Sequence, residues 1–343
     1  MKLIKPKPLN KGDTIALISP SAGLVPIFPH RLDNAIKFLE REGFKVKEFS
    51  CTRKMNGWES APAEERAKDI MAAFEDPEVK AIICTIGGTV ANQTLKYLDF
   101  EKIRNNPKIF CGYSDITNLH YAIFTKSKLS TFYGPCAMTQ FAEYPKPLQY
   151  TLDYFFKAVS SKEPIGKIKA SKEWTDETLN WGKKLDLERA RNLIPNPSYV
   201  WLRKGKAEGN LIGGCLPSVT HLAGTSFWPD YKNSILFLEI PEGQEFDKGE
   251  PPSYVDWYLE HLKLTGVFDK IKGLIFGRPF KYSEKDVEKL KKKIVERTSD
   301  YDFPILFGAD IGHTDPMITI PLGVRAEVDS DTNSFIILEP ATS

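Results

Sequence analysis

Along the first third of the chain, short apolar runs alternate with stretches whose apolar residues recur at helical spacing. Thr14–Ile18 forms the first such run. Leu32, Ala35, Ile36 and Leu39 then fall at i, i+3, i+4 and i+7, the stripe an amphipathic helix turns to a core, with Gly43 as its stop. Residues 44–49 alternate like a strand. Ser60 and Pro62 open a second helix, with its stripe at Ala67, Ile70, Met71 and Phe74. A solid apolar strand over 81–85 ends at Gly87-Gly88, and a short helix is expected over 91–98. Another strand over 109–113 precedes a helix marked by Ile116, Leu119 and Ile123. Repeated strand–helix units with strands apolar on both faces predict a parallel sheet covered by helices on both sides.

The periodicity fades between 160 and 199, where Pro164, Gly166, Trp174, Trp181, Gly182, Pro195 and Pro197 are scattered among charges. A loop this long inside a compact protein is usually functional or a linker, and here it reads as a domain junction. Beyond it, Gly209–Gly214 precedes a helix from Leu216, and Ser234–Glu239 is a strand. Val255, Tyr258, Leu259 and Leu262 mark one helix; Val287, Leu290 and Ile294 mark another. Short strands are expected over 273–276, 304–307, 317–320, 324–328 and 334–338, the last few with no helices between them. The resulting division is an N-terminal α/β domain over 1–160, a junction over 161–204 and a smaller mixed α/β domain over 205–343.

Composition narrows the class. With 343 residues, 41% hydrophobic and 27% charged, the chain can bury a sizeable core. Lys+Arg 47 against Asp+Glu 45 leaves +2, with the signs interspersed, which argues against a nucleic-acid binder. No apolar run approaches the ~18–20 residues needed to cross a bilayer, and no secretory signal opens the chain. Five cysteines, odd in number and without C-x-x-C spacing, read as reduced thiols in a cytoplasmic protein. No P-loop, G-x-G-x-x-G or H-E-x-x-H motif is present, so neither a metal nor a cofactor is expected.

The strongest chemical signal is Lys108-Ile-Phe-Cys-Gly-Tyr-Ser114-Asp115, a strand that runs through a short turn into a helix. A serine there stands at the carboxyl edge of a parallel sheet, where open α/β folds place ligands, beside backbone N–H donors suited to an oxyanion. That is the logic of a nucleophile elbow. The alternative is that Ser114 or Asp115 simply caps the helix. Gly87-Gly88 ends the neighbouring strand, where backbone can come close to a bound group. A serine nucleophile needs a base. Among five histidines, His30, His120, His221 and His261 read as loop or structural residues, whereas His313 sits in the tight loop Gly312-His-Thr-Asp-Pro316. A carboxylate should orient it. Glu239 closes an apolar strand, an unusual place for a charge without a partner, with Glu242 and Glu245 as nearby competitors.

Assembled in this order, the pieces resemble the serine peptidases that include LD-carboxypeptidase. The likeness runs through Gly12–Ser21, Ile86-Gly-Gly, Lys108–Asp115, Gly209–Gly214, Val267–Gly273 and Pro316–Gly323. Thr131-Phe-Tyr-Gly-Pro, Trp174–Trp181 and Pro316-Met-Ile-Thr make it most similar to the microcin C immunity branch. The resemblance implies a flavodoxin-like or amidotransferase-like parallel sheet with helices on both faces, a smaller C-terminal mixed α/β domain, and a homodimer. It places a Ser–Glu–His triad on Ser114, Glu239 and His313, and an oxyanion hole on the amides of Asp115 and Gly87 or Gly88. The implied substrate is a peptidyl or aminoacyl nucleotide, with murein-tetrapeptide carboxypeptidase action as the runner-up and a non-catalytic small-molecule binder as the remaining alternative. Trp174 and Trp181 either plug the domain interface or stack on the adenine of such a substrate. Two departures stand out: Cys215 follows the paired glycines where the family often has Asn, and an acidic, proline-rich stretch over 240–252 follows the triad glutamate.

Overall fold

The computed structural model describes residues 2–245 and 247–343; Met1 and Phe246, the latter inside the 240–252 stretch, lie outside the described residues. Five parallel strands form the heart of the first sheet: β1 (Thr14–Ile18), β2 (Lys45–Glu48), β3 (Val79–Cys84), β4 (Ile109–Gly112) and β5 (Phe132–Tyr133). Their spatial order is β2-β1-β3-β4-β5. Connections leave β1 towards β2 on one side and run from β3 onward on the other. Because such crossovers are right-handed, the intervening helices fall on opposite faces. These helices are α1 (Pro29–Arg41), α2 (Ala63–Glu75), α3 (Phe100–Asn105) and α4 (Thr117–Ser127), followed after β5 by α5 (Gln149–Val159). The order reverses between β1 and β3, and a crevice opens there at the carboxyl ends of the strands.

The junction is more structured than its sequence suggests. It supplies β6 (Gly166–Ile168) and the hairpin partners β7 (Glu173–Trp174) and β8 (Ile194–Pro195). The second sheet has β10 (Lys206–Cys215), β11 (Ser234–Glu239), β12 (Gly273–Gly277) and β13 (Ile305–Ala309) as a parallel centre. Antiparallel strands complete it: β9 (Val200–Arg203) beside β13, and β15 (Arg325–Asp329), β16 (Ser334–Ile337) and β6 in turn beside β10. Helices α6 (Leu216–His221), α7 (Pro252–Leu264) and α8 (Glu284–Arg297) lie between its strands in the sequence.

Two local expectations change, and one helix is added. The helix over 91–98 is a run of 3-10 turns, Ala91–Tyr97. The expected strand over 317–320 shrinks to β14 (Ile320–Pro321), which leaves the C-terminal half to pair antiparallel with β5. Helix α5 had no clean stripe in the sequence, because Tyr154, Phe155 and Phe156 put aromatics on adjacent positions. The apolar interior is continuous through both halves, and buried polar contacts join them: Cys215 N–H donates to Thr117 Oγ1 (3.1 Å), and Tyr231 donates to the Tyr121 hydroxyl (3.1 Å).

Candidate active site

Ser114 follows β4 directly and adopts a left-handed backbone conformation, φ +66°, which a residue with a Cβ accepts only under constraint. Its N–H donates to the Tyr133 hydroxyl (3.2 Å), and its carbonyl accepts from the Thr117 hydroxyl (2.6 Å). Neither Ser114 nor Asp115 caps the following helix through its side chain. The Asp115 carboxylate turns back instead, accepting from the Ser21 hydroxyl (2.5 Å) and from Ala91 N–H (3.0 Å). Burial raises the pKa of this carboxyl group, against the pull of those hydrogen bonds.

The glycine turn after β3 packs against the serine. A Cβ on Gly87 would sit 2.7 Å from Ser114 Cβ and 3.0 Å from its Oγ, so only glycine lets the two turns meet. Gly88 borders Ser21 and Ala22. Among the described residues, the N–H groups of Gly87, Gly88 and Asp115 have no hydrogen-bond partner, as donors awaiting an oxyanion would.

The other half of the molecule brings up His313. Its Nδ1 lies 2.7 Å from Glu239 Oε2, and its backbone N–H donates to the same oxygen (3.3 Å). Glu239, at the end of β11, is fully buried, and its Oε1 accepts from the Tyr133 hydroxyl (2.5 Å). Gly312 keeps this pair close, because a Cβ there would overlap the Glu239 carboxylate. The competitor Glu242 takes a different position, 3.4 Å from His313 Nε2, while Glu245 pairs with Lys248 at the surface. No hydrogen bond joins Ser114 Oγ to His313 among the described residues; the Nε2 side faces Glu242. Burial alone would lower the His313 pKa, but Glu239 and Glu242 outweigh it and raise it to about 9. Since that exceeds the ordinary value near ~6.5, the charged pair stabilises the fold fully below about 6.5, and its contribution is lost as pH rises through about 9. His120 behaves oppositely: buried between Thr131 and the Gly112 carbonyl, it is pushed down to about 4 and is neutral and structural.

Ser114, Gly87, Gly88 and His313 line one cleft of about 230 Å³ at the crevice between the β1 and β3 ends. Trp181 lines it too, backed by the Arg31 guanidinium 4.5 Å from its ring centroid and by the edge of Phe28. Trp174 does not: it lies over Arg278, which is engaged by buried Asp310 (2.8 Å). Several residues of the cleft carried no sequence signal. Arg31 is held by Asp186 (2.9 Å) and two backbone carbonyls, and Arg191 bridges Glu143 (2.6 Å) and Asp315 (2.8 Å). Only Asp315, two residues after His313 in the same tight loop, could have been found from local sequence.

A serine on a constrained turn, facing free amides and sharing a cleft with a carboxylate-bound imidazole, is the equipment of a serine-type peptidase or amide hydrolase. The comparisons with known proteins agree. Residues 15–134 match the LD-carboxypeptidase N-terminal domain and residues 208–328 its C-terminal domain, so the chain belongs to the LD-carboxypeptidase family of serine peptidases. This sets aside the binding-only alternative. The microcin C7 self-immunity protein MccF of Escherichia coli is 33% identical over 335 residues, covering 97% of this chain and 95% of that protein. A probable murein peptide carboxypeptidase of Bacillus subtilis is 31% identical, with 97% and 94% covered. The solved structure of MccF in complex with aspartyl sulfamoyl adenosine superposes with a TM-score of 0.90 at 32% identity, over 99% of this chain and 100% of that one.

Proposed function

We propose that the protein hydrolyses the amide bond joining an aminoacyl or peptidyl group to a nucleotide. Ser114 attacks the carbonyl, His313 takes its proton and returns it to the leaving nitrogen, Glu239 orients the imidazole, and the Asp115 and Gly87 or Gly88 amides hold the oxyanion. The observation that carries this reading is the Glu239–His313 contact of 2.7 Å inside the cleft that Ser114 lines. The nucleotide half rests on Trp181, an aromatic face in that cleft, and on the likeness to MccF, a structure of which holds aspartyl sulfamoyl adenosine. Incubation with an aminoacyl sulfamoyl-adenosine and, in parallel, with a murein tetrapeptide ending in D-Ala tests the choice. Faster release of the amino acid from the nucleotide is expected. The murein reading has support from the Bacillus subtilis relative. It would need a cation for the terminal carboxylate, and the two guanidiniums of the cleft are already engaged by carboxylates. The reading also takes the protein as a homodimer, as the family likeness implies, and as a cytoplasmic enzyme without metal or cofactor, as the cysteine pattern and the missing motifs lead us to expect.

Two predictions follow from the cleft itself. Base–aromatic stacking contributes ~1–3 kcal/mol, roughly ten- to a hundredfold in affinity. Trp181→Ala should therefore weaken handling of the sulfamoyl-adenosine by about that factor while sparing a small peptide substrate; Trp174→Ala should leave the ratio of the two unchanged. Equal losses on both substrates in Trp181→Ala would sink the stacking role. Glu242→Gln should act on pH dependence. A general base must be neutral, so kcat/KM climbs with pH as His313 deprotonates, and Glu242 is, with Glu239 and Asp315, one of the three carboxylates that raise that step to about 9. Its neutralisation should move the acidic limb of the kcat/KM profile downward and raise the rate at pH 7. An unmoved limb would mean that Glu242 leaves Nε2 before the base is needed.

A further inference from the structure

The triad reading leaves one buried polar group unused. Tyr133 lies on β5, in the N-terminal sheet, fully buried among the rings of Phe237, His120 and Tyr113. Its hydroxyl does two things at once. It donates to Glu239 Oε1 (2.5 Å), and it accepts the N–H of Ser114 (3.2 Å). One oxygen atom therefore touches both the strained turn that presents the serine and the carboxylate that holds the histidine, although these belong to different sheets.

We propose that Tyr133 is a positioning residue that sets the register between the nucleophile turn and the Glu239–His313 pair. The reasoning starts from Glu239. Its Oε2 accepts both His313 contacts, and its Oε1 is served by Tyr133, so in a fully buried site the phenol supplies the remaining donor. Without it, that oxygen would stay buried and unsatisfied, and the carboxylate would turn towards another donor. Ser114 is the second dependency. A non-glycine residue at positive φ persists only while its surroundings over-determine it. The Ser114 carbonyl is held by the hydroxyl and the N–H of Thr117, and among the described residues its N–H is held by Tyr133. Burial and the adjoining Glu239 raise the phenol's own pKa well above the usual range, so it stays a donor across the working pH. This role rests on the proposed triad and adds to it a fourth group that never meets the substrate.

The electrostatic consequence has a sign. The O–H dipole points its positive end at Glu239 and so partly offsets the field that favours a charged His313. Glu242 and Asp315 also favour that charge, and the Cys215 thiol and His120 lie near the phenol. Tyr133→Phe leaves all of these charged and titratable groups in place; it removes the dipole at Glu239 together with the acceptor for Ser114 N–H, and loss of the dipole should let His313 hold its proton to higher pH.

The rate at which a fluorophosphonate probe labels Ser114, followed against pH, reads this without needing the natural substrate. For Tyr133→Phe we expect labelling at neutral pH to fall roughly ten- to a hundredfold and the inflection to move upward. Site-specific 3-fluorotyrosine, a stronger donor of nearly the same shape, should restore the rate and move the inflection to or below the wild-type position. The proposal is overturned if Tyr133→Phe labels with wild-type rate and inflection. It is equally overturned if the rate falls by the same factor at every pH while the melting temperature drops, which is what lost packing would do. Should Tyr133→Phe fail to fold, the 3-fluorotyrosine protein decides, and an inflection displaced upward there counts against the role. Ser114→Ala separates this outcome from the underlying reading. Undiminished labelling of that variant would refute the triad itself, whereas its silence beside an unaffected Tyr133→Phe would refute only the tyrosine.

Discussion

Ser114→Ala is expected to reduce kcat on an aminoacyl sulfamoyl-adenosine by several orders of magnitude, on the order of 10⁵- to 10⁶-fold if it acts as triad serines do. The turn brings this hydroxyl against Gly87, where a Cβ would lie 3.0 Å from it. Residual turnover should come from the proposed oxyanion amides and from substrate binding, which the substitution leaves in place. The fold should be indifferent: alanine keeps the Cβ, so the strain at φ +66° is unchanged, and Ser114 Oγ makes no hydrogen bond among the described residues. Near wild-type turnover, with thermal stability intact, would remove Ser114 from the mechanism.

Glu239→Gln should be nearly as damaging for a different reason. Among the described residues, every hydrogen bond to this side chain comes from a donor aimed at it: the Tyr133 hydroxyl on Oε1, and the Nδ1 and backbone N–H of His313 on Oε2. An amide offers one acceptor and one donor, so one partner must face an N–H. If that partner is His313, the ring takes the tautomer with its proton on Nε2 and can no longer act as the base. The expected cost in kcat is on the order of 10³- to 10⁴-fold. Destabilisation of about 1–3 kcal/mol should accompany it, since a buried polar atom loses its partner. Stopped assays at several pH values together with thermal unfolding would show both; a loss under about tenfold would argue that the imidazole does not depend on this carboxylate. The contrast with Glu242→Gln is informative, because the same change three residues along is expected to speed the reaction at neutral pH.

Much of this could be read from the chain before any coordinates. Alternation and helical stripes located the parallel strands from Thr14 to Tyr113, because a sheet buried on both faces leaves long apolar runs. Ser114 and His313 were legible as turn residues at strand ends, and Glu239 as a charge in an apolar strand. What stayed hidden depends on contacts distant in sequence. Tyr133 is 106 positions from Glu239, and Arg31 is 155 from Asp186. No local pattern distinguishes such residues from ordinary core or surface. The strands β6 and β9 were lost for another reason: three or four residues paired at a sheet edge are too short to show a period. The two tryptophans looked equivalent in sequence, and only the path of the junction puts Trp181 at the cleft and Trp174 against Arg278.

The return of β14 to the N-terminal sheet bears on how the molecule can move. The chain passes from the first sheet into the second through the junction, comes back at Ile320–Pro321 to hydrogen-bond with Phe132–Tyr133, and leaves again for β15. Near its C-terminal end, Ser343 N–H donates to the Pro6 carbonyl, and Lys5 pairs with Glu339. Two bodies stitched together at several seams lack the single pivot that a hinged enzyme uses to clamp its substrate. Rocking of one half against the other would have to break these seams together.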